Sequence, residues 1–81
     1  MRPESLSPLS LEEHRQLGEE IKAMSRRMHE LAGVVASVYG PNNQAAFGFL
    51  QLVEVVDRLQ KDLQSQAERD LPGYPVNGFY F

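Results

Sequence analysis

Two histidines and eleven carboxylates are the groups in this chain most able to do chemistry, because imidazole and carboxylate at helical spacing build metal centres and proton relays. A carboxylate-bridged metal bundle needs Glu-x-x-His pairs aimed inward. The residue three before His14 is Leu11, and the residue three before His29 is Arg26, so no metal or cofactor is expected. His14 instead falls on an apolar seam, where it is predicted to share space with an oligomer mate; a protonation-sensitive contact there is the lesser reading. Ser5, Ser7, Ser10, Ser25, Ser37 and Ser65 have no His and carboxylate in a rigid frame beside them, and no glycine-rich phosphate loop occurs. No catalytic residue is assigned, and an enzyme is not expected.

Arg15, Lys22, Arg26, Arg27 and His29 gather on one segment, which raises a second reading, a small DNA-binding or antitoxin-like regulator. Glutamates interleave with these cations, the net charge is −3, and the pI is near 5.2. Nucleic-acid binders carry a basic excess or stripe, so this is the alternative and not the favoured reading. The chain has no cysteine, which removes disulfides and thiolate chemistry.

The elements that hold these residues are legible as helices. Apolar residues recur at 3-4 spacing through Leu17, Ile21, Met24, Met28, Leu31, Val35 and Val38, then again through Ala45, Phe49, Leu52, Val56, Leu59 and Leu63. Between the runs, Tyr39-Gly40-Pro41-Asn42-Asn43 supplies a helix stop, a turn residue and two capping candidates. Ser10-Leu11-Glu12-Glu13 has the spacing of a capping box. The reading is an all-α, antiparallel two-helix hairpin over about 10–39 and 42–69, preceded by a flexible leader (1–9) and followed by an extended tail (71–81) rich in Pro, Gly and aromatics. Helix 2 stops where Leu71-Pro72-Gly73-Tyr74-Pro75 cannot continue it.

In the heptad frame of that seam, position e holds Leu11, Gly18, Ser25, Ala32 and Tyr39 on helix 1 and Ala46, Val53, Gln60 and Ala67 on helix 2. A column of mostly small residues lets another helix approach closely, and Gly18, Gly33 and Gly48 inside helical patterns are read as close helix packing or a slight bend. Near the turn Val34, Phe47, Leu50 and Val55 are apolar as well as the seam, so the helices there are hydrophobic on most sides. A lone hairpin would leave this patch in water. Dimerisation into a four-helix bundle is therefore expected, with Leu31, Val35, Val38, Phe47, Phe49, Leu50, Val53 and Val56 as the interface. The functional reading is a non-enzymatic protein-protein interaction or adaptor module.

Four of the seven aromatics lie in the last eight residues, as Tyr74, Phe79, Tyr80 and Phe81. A solvated disordered tail is poor in aromatics. Either the tail lies as an extended strand over the open flank of the hairpin or its mate, burying Tyr74, Phe79 and Phe81 as a lid, or it is a linear ligand whose Phe79, Phe81 and terminal carboxylate enter a partner's groove; the lid is preferred, since a small fold gains most from large aromatics. Asn77-Gly78 is predicted to make a tight turn.

A hairpin of two long helices with Tyr39-Gly40 near its turn resembles the small secreted helical-hairpin proteins that carry a Trp-x-Gly motif there. Both the Trp and the spacer are absent here, so the resemblance is of architecture and carries no functional residue across. The first residues lack the apolar core of a signal peptide, and no run approaches a membrane span. A cytoplasmic location is the default expectation.

Overall fold

The computed structural model describes residues 7–81; most of the expected leader, residues 1–6, lies outside the described residues. Two helices form, α1 over Leu11–Tyr39 and α2 over Gln44–Asp70. The predicted start of α1 is set by local hydrogen bonds. The Ser10 hydroxyl accepts from the Glu13 amide at 3.1 Å, and Glu13 Oε1 accepts from the Ser10 amide at 2.8 Å, which satisfies two of the donors that a helix start leaves open. Gly40 ends the helix at φ 90°, a value L side chains avoid, and its amide donates to the Ala36 carbonyl. Asn43 then caps α2 by accepting from the amides of Ala45 and Ala46 at 2.8 and 3.2 Å. With so short a connection the helices pack antiparallel.

The contact line between them differs from the apolar spacing. On α1 the buried residues are His14, Gly18, Ser25 and Ala32; on α2 they are Ala46, Val53, Gln60, Gln64 and Ala67. Apart from His14 and Gln64, these form the e column of small residues. Ile21, Met28, Val35, Phe49, Val56 and Leu63, the a column, are half-buried beside it. Most of the d column, expected in the seam, is exposed: Met24, Val38, Ala45, Leu52 and Leu59. At about 100° per residue, exchanging an a/d face for an a/e face turns each helix by about 50°. The cause is steric. Small side chains in the middle let the helix axes close, while the larger a residues wrap one side of the contact. The d residues remain part of a broad apolar stripe that one partner helix is too narrow to cover.

The densest packing lies at the open end, away from the turn. There Ala67, Val76 and Tyr80 form a buried cluster against Leu11, Leu17, Ile21, Leu63, Leu71 and Phe79. Helices and tail thus meet where the helices carry most of their charge, and the apolar-rich turn end is left open.

Candidate functional site

The open end is built by three segments distant in sequence. The capping box fixes the first turn of α1, and one turn in, His14 points toward the end of α2 and into the tail. Its Nε2 lies 2.9 Å from Asp70 Oδ2 and its Nδ1 2.7 Å from the Tyr80 hydroxyl. A carboxylate only accepts, so Nε2 carries a proton and donates to Asp70; in the neutral ring Nδ1 then accepts from the Tyr80 hydroxyl. The two rings meet edge to face at 5.9 Å, a favourable aromatic geometry. His14 and Tyr80 are both completely buried, the only large side chains among the described residues to be so.

Electrostatics follow from these contacts. The His14 hydrogen bond, followed by that of Gln66, holds the Asp70 carboxyl below the usual carboxylate range, and the nearby charge of Arg69 adds to this. Burial, with the Asp70 charge second, pushes the Tyr80 hydroxyl up, so it stays protonated and able to donate to His14.

The rest of the tail is held through its backbone. Gln64 Nε2 donates to the Val76 carbonyl at 2.9 Å, and Gln64 Oε1 accepts from the Tyr80 amide at 3.3 Å. One turn earlier on α2, Gln60 Nε2 donates to the Tyr80 carbonyl at 2.7 Å. Across the groove, Gly18 faces the Phe79 backbone so closely that a Cβ there would stand 1.9 Å from the Phe79 carbonyl oxygen. The predicted Asn77-Gly78 turn forms: the Phe79 amide donates to Val76, and Gly78 takes φ 78° while Asn77 does not, as in a type II turn.

The tail aromatics divide differently from the expected lid of Tyr74, Phe79 and Phe81. Tyr80 and Val76 are the buried pair, Phe79 is half-buried, and Tyr74 and Phe81 are exposed. Folding into successive turns, the tail presents the fourth residue after Val76 to the helices, where an extended strand would have presented alternate ones. Beside Phe81 a shallow groove of 460 Å³ is lined by Glu19, Lys22, Ser25, Arg26 and Gln60.

His14 therefore has its partners within its own chain, and needs no oligomer mate to fill its surroundings. An Asp-His-hydroxyl series has the order of an activated nucleophile, but here the hydroxyl and the imidazole are sealed from solvent and the groove does not reach them. What the arrangement does is join the two ends of the helices to the tail. Among the described residues no group of three His, Cys, Asp or Glu side chains is placed to hold a metal ion, and no helix is long and apolar enough to cross a membrane.

The predicted interface residues lie around the other half of the hairpin. Leu31, Val35, Phe49 and Val56 are half-buried; Val38, Phe47 and Leu50 are exposed; Val53, at 9% exposure, is already buried between the helices. The basic cluster is interleaved with acids: Arg15 contacts Glu12, Lys22 contacts Glu19 at 3.0 Å, and Arg27 contacts Glu30 at 3.1 Å, while His29 Nδ1 donates to the Ser25 carbonyl. Of the two expectations for the helical glycines, close packing and a slight bend, close packing does not hold at Gly33 and Gly48, where no atom lies within 4 Å of a would-be Cβ.

Sequence reasoning missed Gln60 and Gln64 as ligands of the tail, and Asp70 as the partner of His14. The available signal was Gln60, a polar residue in a column otherwise small or apolar. Comparison with protein-family models, curated proteins and solved structures finds no match to the chain.

Proposed function

We propose that this protein is an interaction module that works by self-association: two tail-latched hairpins bring one broad face together to make a four-helix bundle. The observation that carries this reading is the exposed d column. Because antiparallel helices that face each other through the same columns project their remaining columns to the same side, Met24, Leu31 and Val38 of α1 share one face of the hairpin with Ala45, Leu52 and Leu59 of α2. Val34 and Val55 extend that face. Their repeat of seven matches what a second pair of helices reads, and Val38 stands 67% exposed in the single hairpin. Apolar area in this amount is rarely left in water.

The same face could equally receive helices of another protein, giving the adaptor role. Self-association is the first step because it needs no other component and the face is self-complementary under a two-fold axis. Light scattering over a dilution series tests it. A dimer that Val38→Glu and Leu52→Glu convert to monomer, with helicity retained, supports the reading. A monomer at every concentration sinks it.

A further inference from the structure

The tail is bound as a peptide ligand is bound. Its backbone is read by two side-chain amides one helical turn apart, Gln60 and Gln64, through three hydrogen bonds. One side chain, Tyr80, enters a closed pocket with a specific acceptor. Gly18 leaves room for the Phe79 carbonyl to press against α1. Backbone contacts that give affinity, together with a pocket that gives specificity, are the working parts of a peptide receptor. The helices supply all of them, and the covalent link to the tail supplies none.

We propose that this groove is a peptide-binding site whose other occupant is the tail of a second copy of the chain. Its ligand class is a turned segment with valine at one position, glycine at positive φ two residues later, and tyrosine two residues after that, as in Val76-Asn77-Gly78-Phe79-Tyr80. The connection between α2 and this segment is what makes exchange between copies cheap. Pro72, Gly73, Tyr74 and Pro75 are all exposed, and the hydrogen bonds across the link, Tyr74 amide to Leu71 and Val76 amide to Tyr74, are local to it. A tail arriving from a neighbour meets the same atoms in the same geometry, so an exchange of tails preserves every groove contact and alters only the link. Four residues, 72–75, span up to ~14 Å when extended, more than the ~10 Å width of a helix, so adjacent open ends are within reach. The resident tail competes at the millimolar effective concentration of a short link, so the exchange shows when the resident is weakened or the protein is concentrated. This exchange does not use Met24, Leu31, Val38, Ala45, Leu52 or Leu59, none of which packs against the buried tail cluster.

The test uses the full chain carrying Tyr80→Phe, which weakens the resident tail by one hydroxyl, and a fluorescent peptide of residues 71–81. Saturable binding that falls at least tenfold for a peptide carrying Tyr80→Ala is expected. No binding, or equal binding of both peptides, overturns the proposal. Exchange between whole chains is read separately, since the protein has no cysteine of its own. A chain carrying Phe81→Cys is mixed under oxidation with one carrying Arg26→Cys, a residue that lines the groove beside Phe81. Disulfide-linked heterodimer well above that formed with a Ser65→Cys partner is expected. A yield no higher than that control overturns the occupant named here.

Discussion

Adding one methyl group at Gly18 separates the tail-docked structure from every alternative in which the tail is loose. In a bare helix, Gly→Ala stabilises by up to about 1 kcal/mol. At Gly18 the new Cβ would lie 1.9 Å from a backbone oxygen, and essentially no real contact falls below 3.0 Å, so the Phe79 backbone must retreat by roughly 1.1 Å. The adjacent Tyr80 hydroxyl, 2.7 Å from His14 Nδ1, would be carried beyond hydrogen-bonding range by a shift of that size. An unpaired buried acceptor costs about 1–3 kcal/mol, and partial exposure of a large apolar ring costs about 1–2 kcal/mol more. After subtracting the helix gain, Gly18→Ala should destabilise by about 1–4 kcal/mol, a fall in Tm on the order of 10 °C for a domain this small. Thermal melts followed by circular dichroism measure it. Gly33→Ala and Gly48→Ala are the internal controls, because neither would meet an atom within 4 Å; each should raise Tm by a few degrees. If Gly18→Ala rises in step with the controls, the tail is not packed against α1 and the account of the open end is wrong.

Tyr80→Phe keeps the ring but removes the donor to His14, and should cost about 1–3 kcal/mol in a denaturant titration with helicity unchanged; no loss would mean the hydroxyl is solvated. Asp70 is approached by His14 from α1 and by Gln66 and Arg69 from its own helix, while Tyr80 of the tail bonds His14 and feels the Asp70 charge; the Asp70 carboxyl sits below its ordinary value. A depressed carboxylate stabilises fully above its unfolded value near ~4 and loses that contribution as pH falls through the folded value. The advantage of the chain over its Asp70→Asn variant should therefore be present at neutral pH and shrink below pH ~4; an advantage that persists unchanged into strong acid would contradict the assignment. Asn43→Ala removes the cap that accepts from Ala45 and Ala46, and should lower stability by about 1 kcal/mol, measured by urea titration.

The parts of this fold legible in the sequence are those fixed by neighbours. The Ser10-Glu13 box, the Gly40 stop, the Asn43 cap and the Asn77-Gly78 turn each act over two to four residues, and each stands where local chemistry predicts. Which sector of the apolar stripe faces the other helix was not legible, because a repeat of 3 and 4 is compatible with an a/d or an a/e contact. The choice follows the small residues Ser25, Ala32 and Ala46, a column that the sequence offers equally to a further helix. The open-end site was hidden for a different reason. His14 meets Asp70 across 56 positions and Tyr80 across 66, and no periodicity links them.

The same 66-residue separation governs the order in which the chain can assemble. In the unfolded ensemble, bringing His14 to Tyr80 means closing a long loop, at an entropic cost that grows with its length. Once the hairpin has zipped, the search collapses to the few residues between Asp70 and Val76, and the docking surface, Gly18 on one helix and Gln64 on the other, exists only then. Tail docking is thus conditional on correct helix register: a slip of one residue on either helix misaligns Gly18 with the Phe79 carbonyl or His14 with Asp70. The tail proofreads the hairpin, sealing only those molecules whose two helices have found the right alignment.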